Sequence, residues 1–346
     1  MSLKRQRILI VDDSPFIRRM LRDWLSAEPD LEVIGEAKNG EEGLTMAAAM
    51  QPDVVTLDVQ MPGRTGLQVL PEMLATGSHV LMCSSVTQEG AAETLKALEI
   101  GAYDFVTKPQ GGASLKFVGS KEEVVEKVRA ARYARRVPQT ARVTPPVRRM
   151  GGSSDRVVLI ASSTGGPKTL AQLWQSLPKG FPAPILMVQH MPQGFTKSFA
   201  QRLDSFGTVP CCEAEQAMKI EPGHAYLAPG GMHMRVTPEH RLQLFDGPTM
   251  HGVKPAADHL FVTASQIFGS RCIGVVLTGM GKDGAEGALA VRRAGGTTLG
   301  ECEASCAVYG MPKAAKLLGG IEDEFSIEEM AAAITVALNK GVRHAS

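Results

Sequence analysis

Long hydrophobic runs are missing from this 346-residue chain. The longest, such as Ile273 to Leu277, fall well short of the ~20 apolar residues that a membrane-spanning helix requires, so no span and no membrane insertion are expected. A secretory leader is not expected either: basic residues precede Ile8 to Val11, but Asp12 and Asp13 cut that run too short to be the apolar core of a signal peptide. The expected compartment is the cytosol. Paired cysteines are also missing. The six present (Cys83, Cys211, Cys212, Cys272, Cys302 and Cys306) show none of the C-x-x-C spacing of zinc ribbons or redox motifs, and they read as buried or idle thiols. Cys302 and Cys306, four apart, have no further ligands to make a metal site.

Net charge is nearly absent, at +1, yet it is unevenly placed. The stretch from Lys127 to Arg149 holds eight basic residues and no acidic one, which leaves a net −7 on the remainder. No interleaved aromatics or recognition motif accompany that run, so it reads as a solvated helix end and linker, and nucleic acid is not an expected partner. With 44% apolar and 21% charged residues the composition is that of globular domains, and the length favours two of them.

From Arg7 to about Lys127 short apolar runs alternate with helical periodicity. Strands are expected at Ile8 to Val11, Glu32 to Glu36, Val54 to Leu57, Val80 to Cys83 and Tyr103 to Thr107. Alternation of this kind indicates a parallel sheet covered on both faces, the five-stranded doubly wound, flavodoxin-like α/β class. Pro138, Pro145, Pro146, Gly151 and Gly152 then break all periodicity. A second alternating unit starts at Arg156, with strands expected at Val157 to Ala161, Ile185 to Gln189, Val209 to Cys212, Ala225 to Leu227, Ile273 to Leu277 and Thr297 to Leu299. Met232 to Val236 and Arg241 to Phe245 read as an antiparallel hairpin appended to that sheet. The expected organisation is a domain over residues 1–126, a basic Pro-containing linker over 127–154, and a second doubly wound, mainly parallel α/β domain over 155–346.

Chemistry gathers at expected strand ends in both halves. In the first, Asp12 and Asp13 follow the first strand, Asp58 the third, Ser84 the fourth and Lys108-Pro109 the fifth, all at one edge. Carboxylates converging there would repel unless they held a hard divalent cation such as Mg²⁺, and a hydroxyl and an ammonium beside them complete an anion cradle. The alternative is a set of strand-end residues with capping duties.

In the second half, Val157 to Ala161 runs into Ser-Ser-Thr-Gly-Gly-Pro, which places Ser163 beside a helix N-terminus. Unpaired N–H groups there can stabilise a developing oxyanion. Alone, this turn serves equally as a phosphate- or nucleotide-binding loop. His190 ends the next strand, where a histidine can also be merely structural. Gly279, Gly281 and Gly284 fit a dinucleotide fingerprint with Glu301 near the place of a ribose-binding acid, but Asp283 within that turn would oppose a pyrophosphate. Asp283 is instead well placed to orient a histidine from the adjacent strand, giving a hydroxyl, an imidazole and a carboxylate suited to nucleophilic hydrolysis.

The motifs Val11-Asp12-Asp13-Ser14, Leu57-Asp58-Val59-Gln60-Met61-Pro62, Ser84-Ser85 and Thr107-Lys108-Pro109 resemble those of response-regulator receiver domains over roughly residues 5–125. The resemblance implies Asp58 as phosphoacceptor, Asp12, Asp13 and Asp58 as holders of Mg²⁺, Ser84 and Lys108 as switch and phosphate partners, and Phe105 as the switch aromatic. Ser163-Thr164-Gly165-Gly166-Pro167, Gln189-His190-Met191-Pro192, Ala228-Pro229-Gly230-Gly231-Met232-His233 and Leu277 to Gly284 resemble the chemotaxis protein-glutamate methylesterases. So do the Phe105 to Gln110 junction and the order of the two halves.

That resemblance implies Ser163 as nucleophile, His190 as general base and acid, Asp283 as its orienting carboxylate, and Thr164 and Met280 as oxyanion surroundings. It also implies removal of methyl groups from γ-glutamyl esters on chemoreceptor cytoplasmic helices, deamidation of selected glutamines, and a chemotaxis histidine kinase as phosphodonor. No cofactor is implied for the esterase step. The implied control is a receiver that covers the Ser163 crevice until Asp58 is phosphorylated. Two departures stand out: Ser162 where a small residue is usual, and Gln60 where an acid usually follows Asp58; His233, on the hairpin, is read as structural rather than as a substrate contact. A DNA-binding or nucleotide-dependent output is the alternative.

Overall fold

A computed structural model of the chain describes residues 4–85, 87–108, 118–132, 134 and 152–339. It divides into two compact units, Met1–Ala134 and Arg135–Ser346, each with its own sheet.

The first unit runs β1 (Gln6–Val11), α1 (Pro15–Ser26), β2 (Leu31–Ala37), α2 (Gly40–Met50), β3 (Val54–Asp58), α3 (Gly66–Ala75), β4 (His79–Ser84), α4 (Gln88–Ile100), β5 (Asp104–Thr107) and α5 (Val118–Ala130). Its strands lie in the order β2-β1-β3-β4-β5, all parallel. Ile8, Leu9 and Ile10 of β1 and Val54 and Val55 of β3 have no exposed surface, as expected of strands covered on both faces. Helix α1 starts where the Ser14 hydroxyl accepts the Ile17 N–H, with a proline in its first turn, and it buries Ile17, Leu21 and Leu25 at four-residue spacing. Each such side chain contributes about 1.5–3 kcal/mol on burial. Part of the basic run belongs to this unit, since Lys127 on α5 pairs with Asp104 and Glu123, and Arg129 pairs with Glu28 and Asp30. Residues 135–151, which contain most of the expected linker, lie outside the described residues.

The second unit runs β6 (Val157–Ser162), α6 (Gly166–Ser176), β7 (Ile185–Gln189), α7 (Phe195–Asp204), β8 (Cys211–Glu213), β9 (Ala225–Leu227), β10 (His233–Val236), β11 (Leu242–Phe245), α8 (Ala257–Phe268), β12 (Cys272–Val276), α9 (Ala285–Arg293), β13 (Thr297–Glu301), α10 (Met311–Leu317), β14 (Asp323–Phe325) and α11 (Ile327–Asn339). Seven strands pair in the order β14-β13-β12-β6-β7-β9-β8, every pairing parallel.

Two features differ from the sequence-based expectation. The hairpin β10–β11 is a separate antiparallel pair rather than an extension of the large sheet. Its buried face, Met234, Val236 and Leu242, packs into the same apolar core as Leu260, Phe261 and Ala264 of α8, so its alternating pattern reflects helix packing rather than edge pairing. Strand β14 was not expected. It is three residues of Asp-Glu-Phe at a sheet edge, too short and too acidic to show an apolar run. Chain order reverses between β6 and β12: β6 leads outward to β7, and β12 leads the other way to β13. In such sheets ligands collect beyond the carboxyl ends of the strands at this reversal.

Candidate active site

The end of β6 is held from both sides. Ser162 is in register with Gln189 of β7 and is fully buried. Its hydroxyl donates to Gln189 Oε1 at 2.7 Å, while Gln189 Nε2 donates to the carbonyls of Ser163 at 3.0 Å and His190 at 3.1 Å. One carboxamide therefore ties the Ser163 turn to the His190 turn. The sequence offers one sign of this, a polar residue closing the otherwise apolar strand Ile-Leu-Met-Val-Gln. Ser162, the unusual neighbour of Ser163, is thus engaged with Gln189.

Ser163 donates its N–H to the Thr278 carbonyl at 3.0 Å, and its own carbonyl accepts the Gly166 N–H at 2.7 Å. Gly165 turns the chain into α6 at φ 78°, where a Cβ would come within 2.4 Å of the Ala307 methyl as well as straining the backbone. On the facing turn, a Cβ on Gly279 would lie 2.8 Å from Ser163 Cβ and 2.3 Å from Met311 Sδ. The glycine is required by close packing. The first glycine of the dinucleotide-like turn is packed against Ser163 and Met311, and Glu301, the candidate ribose acid, is fully buried with its Oε2 on the Thr278 N–H. The dinucleotide reading does not fit.

His190 and Asp283 meet. Nε2 of the imidazole lies 2.7 Å from Asp283 Oδ2. The same oxygen accepts the Ala257 N–H at 2.6 Å, and Oδ1 accepts those of Asp258 at 3.1 Å and Gly284 at 2.9 Å. Burial alone would raise the pKa of Asp283, but the His190 contact and the N–H groups at the start of α8 outweigh it and hold the carboxyl below its ordinary range. An ionised Asp283 calls for a hydrogen on Nε2, which leaves the lone pair on Nδ1. Nδ1 is buried and has no hydrogen-bond partner among the described residues. The structure does not form a hydrogen bond from Ser163 Oγ to this nitrogen, a bond often loose before substrate binds.

Thr164 is 2% exposed and Met280 is partly exposed. The backbone N–H groups of both lack an acceptor among the described residues. His233, by contrast, is wholly buried with both ring nitrogens engaged: Nε2 lies 2.9 Å from the Pro248 carbonyl, and Nδ1 accepts the Ala256 N–H at 3.1 Å. Its role is to brace the residues leading into α8.

At the strand ends of the first unit, carboxylate oxygens of Asp12, Asp13 and Asp58 lie within 4.8 Å of one another. Lys108 Nζ sits 2.7 Å from Asp12 Oδ2 and 2.6 Å from Asp58 Oδ2. Burial and the neighbouring Asp12 push Asp58 up to about 6, with Lys108 opposing them. The buried Ser84 hydroxyl donates to the Gly90 carbonyl at 3.1 Å, so it faces the first turn of α4. Phe105 is buried, and Lys127 Nζ lies 5.1 Å from its ring centre. Gln60, the departure beside Asp58, accompanies an N–H that donates to Asp58 Oδ1 at 3.2 Å, and its side chain reaches Glu93 at 3.4 Å. Pro109 and Gln110 lie outside the described residues.

Residues 158–334 match the family model described as CheB methylesterase, and residues 8–117 match the response regulator receiver domain. A protein-glutamate methylesterase/protein-glutamine glutaminase of Symbiobacterium thermophilum is 43% identical over 97% of this chain and 98% of its own length. The chain belongs to the CheB methylesterase family. Another relative bearing that name, from Thermotoga maritima, is 43% identical over 89% of this chain and 91% of its own length. The crystal structure of the Thermotoga maritima CheB methylesterase catalytic domain superimposes with a TM-score of 0.51 at 39% identity, covering 54% of this chain and 98% of that one. Membership of this family, together with a seven-stranded parallel sheet, disfavours a DNA-binding or nucleotide-dependent output. Among the described residues no helix is long and apolar enough to cross a membrane.

Proposed function

We propose that this chain hydrolyses γ-glutamyl methyl esters on the cytoplasmic helices of chemoreceptors, and deamidates selected glutamines there, as a cytoplasmic enzyme controlled by phosphorylation of Asp58. The observation that carries the hydrolytic half is the His190 ring, with one nitrogen on the buried Asp283 and the other buried without a hydrogen-bond partner among the described residues. Ser163 Oγ gives its proton to Nδ1 and attacks the γ-carbonyl. The Thr164 and Met280 N–H groups receive the oxyanion, a contribution of about 3 kcal/mol for one such donor. Nδ1 then protonates the departing methoxide, and methanol leaves. Water loses a proton to the same nitrogen, attacks the acyl-enzyme and regenerates Ser163 and a free glutamate. A glutamine side chain presents the same carbonyl with ammonia as the leaving group. The relatives are named protein-glutamine glutaminases as well as methylesterases.

The test is covalent trapping with a serine-directed phosphonate. Mass spectrometry should place the adduct on Ser163, and a His190→Ala protein should label on the order of 10⁴-fold more slowly because the hydroxyl has lost its base. An adduct on another residue, or undiminished labelling without His190, would remove the basis for the mechanism.

For the receiver half, Asp12, Asp13 and Asp58 form a set of hard oxygen donors close enough together to share one ion, which fits Mg²⁺. When bound, the ion would neutralise phosphate charge. Asp58 accepts the phosphoryl group from a histidine kinase. Lys108 is positioned to pair with it, and the Ser84 hydroxyl is free to exchange its backbone partner for a phosphate oxygen. An Asp58→Asn protein is expected to lose stimulation by a small phosphodonor plus Mg²⁺, measured as methanol release with and without the donor. A full response in that protein would place the switch elsewhere.

A further inference from the structure

Behind the Ser163 turn lies a carboxylate that the hydrolysis does not use. Glu301 ends β13 with no exposed surface. Its Oε2 accepts the Thr278 N–H at 2.8 Å and its Oε1 accepts the Ser305 hydroxyl at 3.0 Å. Thr278 is the residue on which the nucleophile's turn rests: its carbonyl accepts the Ser163 N–H at 3.0 Å and its hydroxyl donates to the Thr164 carbonyl at 3.0 Å. Ser305 Oγ in turn accepts the Ile327 N–H at 3.2 Å, anchoring the far side of the carboxylate to α11.

We propose that Glu301 is a positioning residue for the hydrolytic site, gripping the Thr278 amide tightly when ionised and loosely when protonated, so that the placement of Ser163 answers to a buried charge one residue removed. This rests on Ser163 being the nucleophile. A hydrogen bond to an ionised acceptor is roughly twice as strong as one to a neutral acceptor, which gives the two protonation states different holds on the turn. The protonated form also has a ready arrangement. Oε1–H can donate to Ser305 Oγ while that hydroxyl turns its own hydrogen toward the Cys302 carbonyl, 3.5 Å away.

Burial pushes Glu301 up to about 7, moderated by the Thr278 N–H and the Ser305 and Cys306 contacts. The ionisable groups whose charge reaches it are few. Cys306 lies on its own turn and Glu328 comes from α11, while the Thr278 side presents a backbone dipole and no charge. Glu324 of β14 and Cys302 act on Cys306, one contact further out. Among the described residues no cation is close enough to offset the buried charge.

The experiment compares wild type with Glu301→Gln and Glu301→Leu in the full chain. The amide of Glu301→Gln can still accept from Thr278 and donate to Ser305, so kcat at roughly pH 8 should stay within about threefold of wild type. Its acid limb should differ: kcat/KM of wild type carries a loss as Glu301 takes up its proton on going below about pH 7, and Glu301→Gln lacks that component. Glu301→Leu leaves the Thr278 N–H unsatisfied and should lower kcat by about tenfold to a hundredfold at unchanged KM.

Two readouts need no turnover. The Thr278 amide resonance should titrate in wild type and not in Glu301→Gln. Because the folded-state value lies above the ordinary 4.5, the stability linked to this group is complete below that value and is lost as pH rises through 7. The melting temperature of wild type should therefore fall relative to that of Glu301→Gln across this window. Superimposable acid limbs, or a Thr278 resonance that ignores pH, overturn the proposal even if Glu301→Leu fails to fold. A titrating Thr278 amide in a protein whose Ser163→Ala form still hydrolyses ester would instead overturn the nucleophile assignment and leave the coupling standing.

Discussion

Ser163→Ala should abolish methanol release from methylated receptor membranes, with kcat falling on the order of 10⁶-fold. The neighbouring hydroxyl cannot take over. Ser162 is fully buried and donates to Gln189, inside the sheet rather than at its edge. What remains in the alanine protein is water attacking a carbonyl that the Thr164 and Met280 N–H groups still polarise, a residual rate on the order of 10³ to 10⁴ above the uncatalysed reaction. The fold should be unaffected, because the Ser163 contacts to Thr278, Gly166 and Gln189 all use backbone atoms. The measurement is radiolabelled methanol released from membranes carrying labelled methyl esters, with thermal melting as the control for folding. An alanine protein that released methanol at the wild-type rate would reject the assignment outright.

Asp283→Asn should lower kcat by about 10⁴-fold, and for a reason visible in its surroundings. The two oxygens of Asp283 accept from four donors: His190 Nε2 and the N–H groups of Ala257, Asp258 and Gly284. A carboxamide has only one oxygen, so in either orientation its NH₂ faces a donor. If it takes the place of Oδ2, the ring must carry its hydrogen on Nδ1, which removes the proposed base, and the Ala257 N–H loses its acceptor as well. If it takes the place of Oδ1, buried amides go unsatisfied at a cost of about 1–3 kcal/mol. The variant should therefore lose rate and melt earlier. Proton NMR of His190 separates the two orientations by showing which nitrogen carries the hydrogen. Wild-type kcat in this variant would remove the carboxylate from the mechanism.

How much of this was open to sequence reasoning depended on where each signal resides. Strands such as Val157–Ser162 and Ile185–Gln189, apolar throughout because both faces are covered, showed plainly, and so did the polar residues just beyond them. Short elements did not: β14 carries no hydrophobic run, and the separate status of the hairpin depends on its packing against α8, which no local pattern encodes. The supports of the site were the least legible. Gln189 reads as a strand end, Thr278 as a turn residue and Glu301 as a candidate ribose-binding acid, because their significance arises from bonds across 26, 114 and 23 residues of chain. The orientation of the imidazole was equally out of reach, since the choice between its nitrogens follows from where Asp283 lies relative to the ring.

The bond between His190 and Asp283 joins residues separated by 93 positions. During synthesis at about 5–20 residues per second, the serine and the histidine leave the ribosome several seconds ahead of the acid that makes them a working pair. On the proposed mechanism, a chain that ends before Asp283 carries the alcohol and the ring without the carboxylate that orients them. Ester hydrolysis is then expected only once β12 and the turn after it have been made.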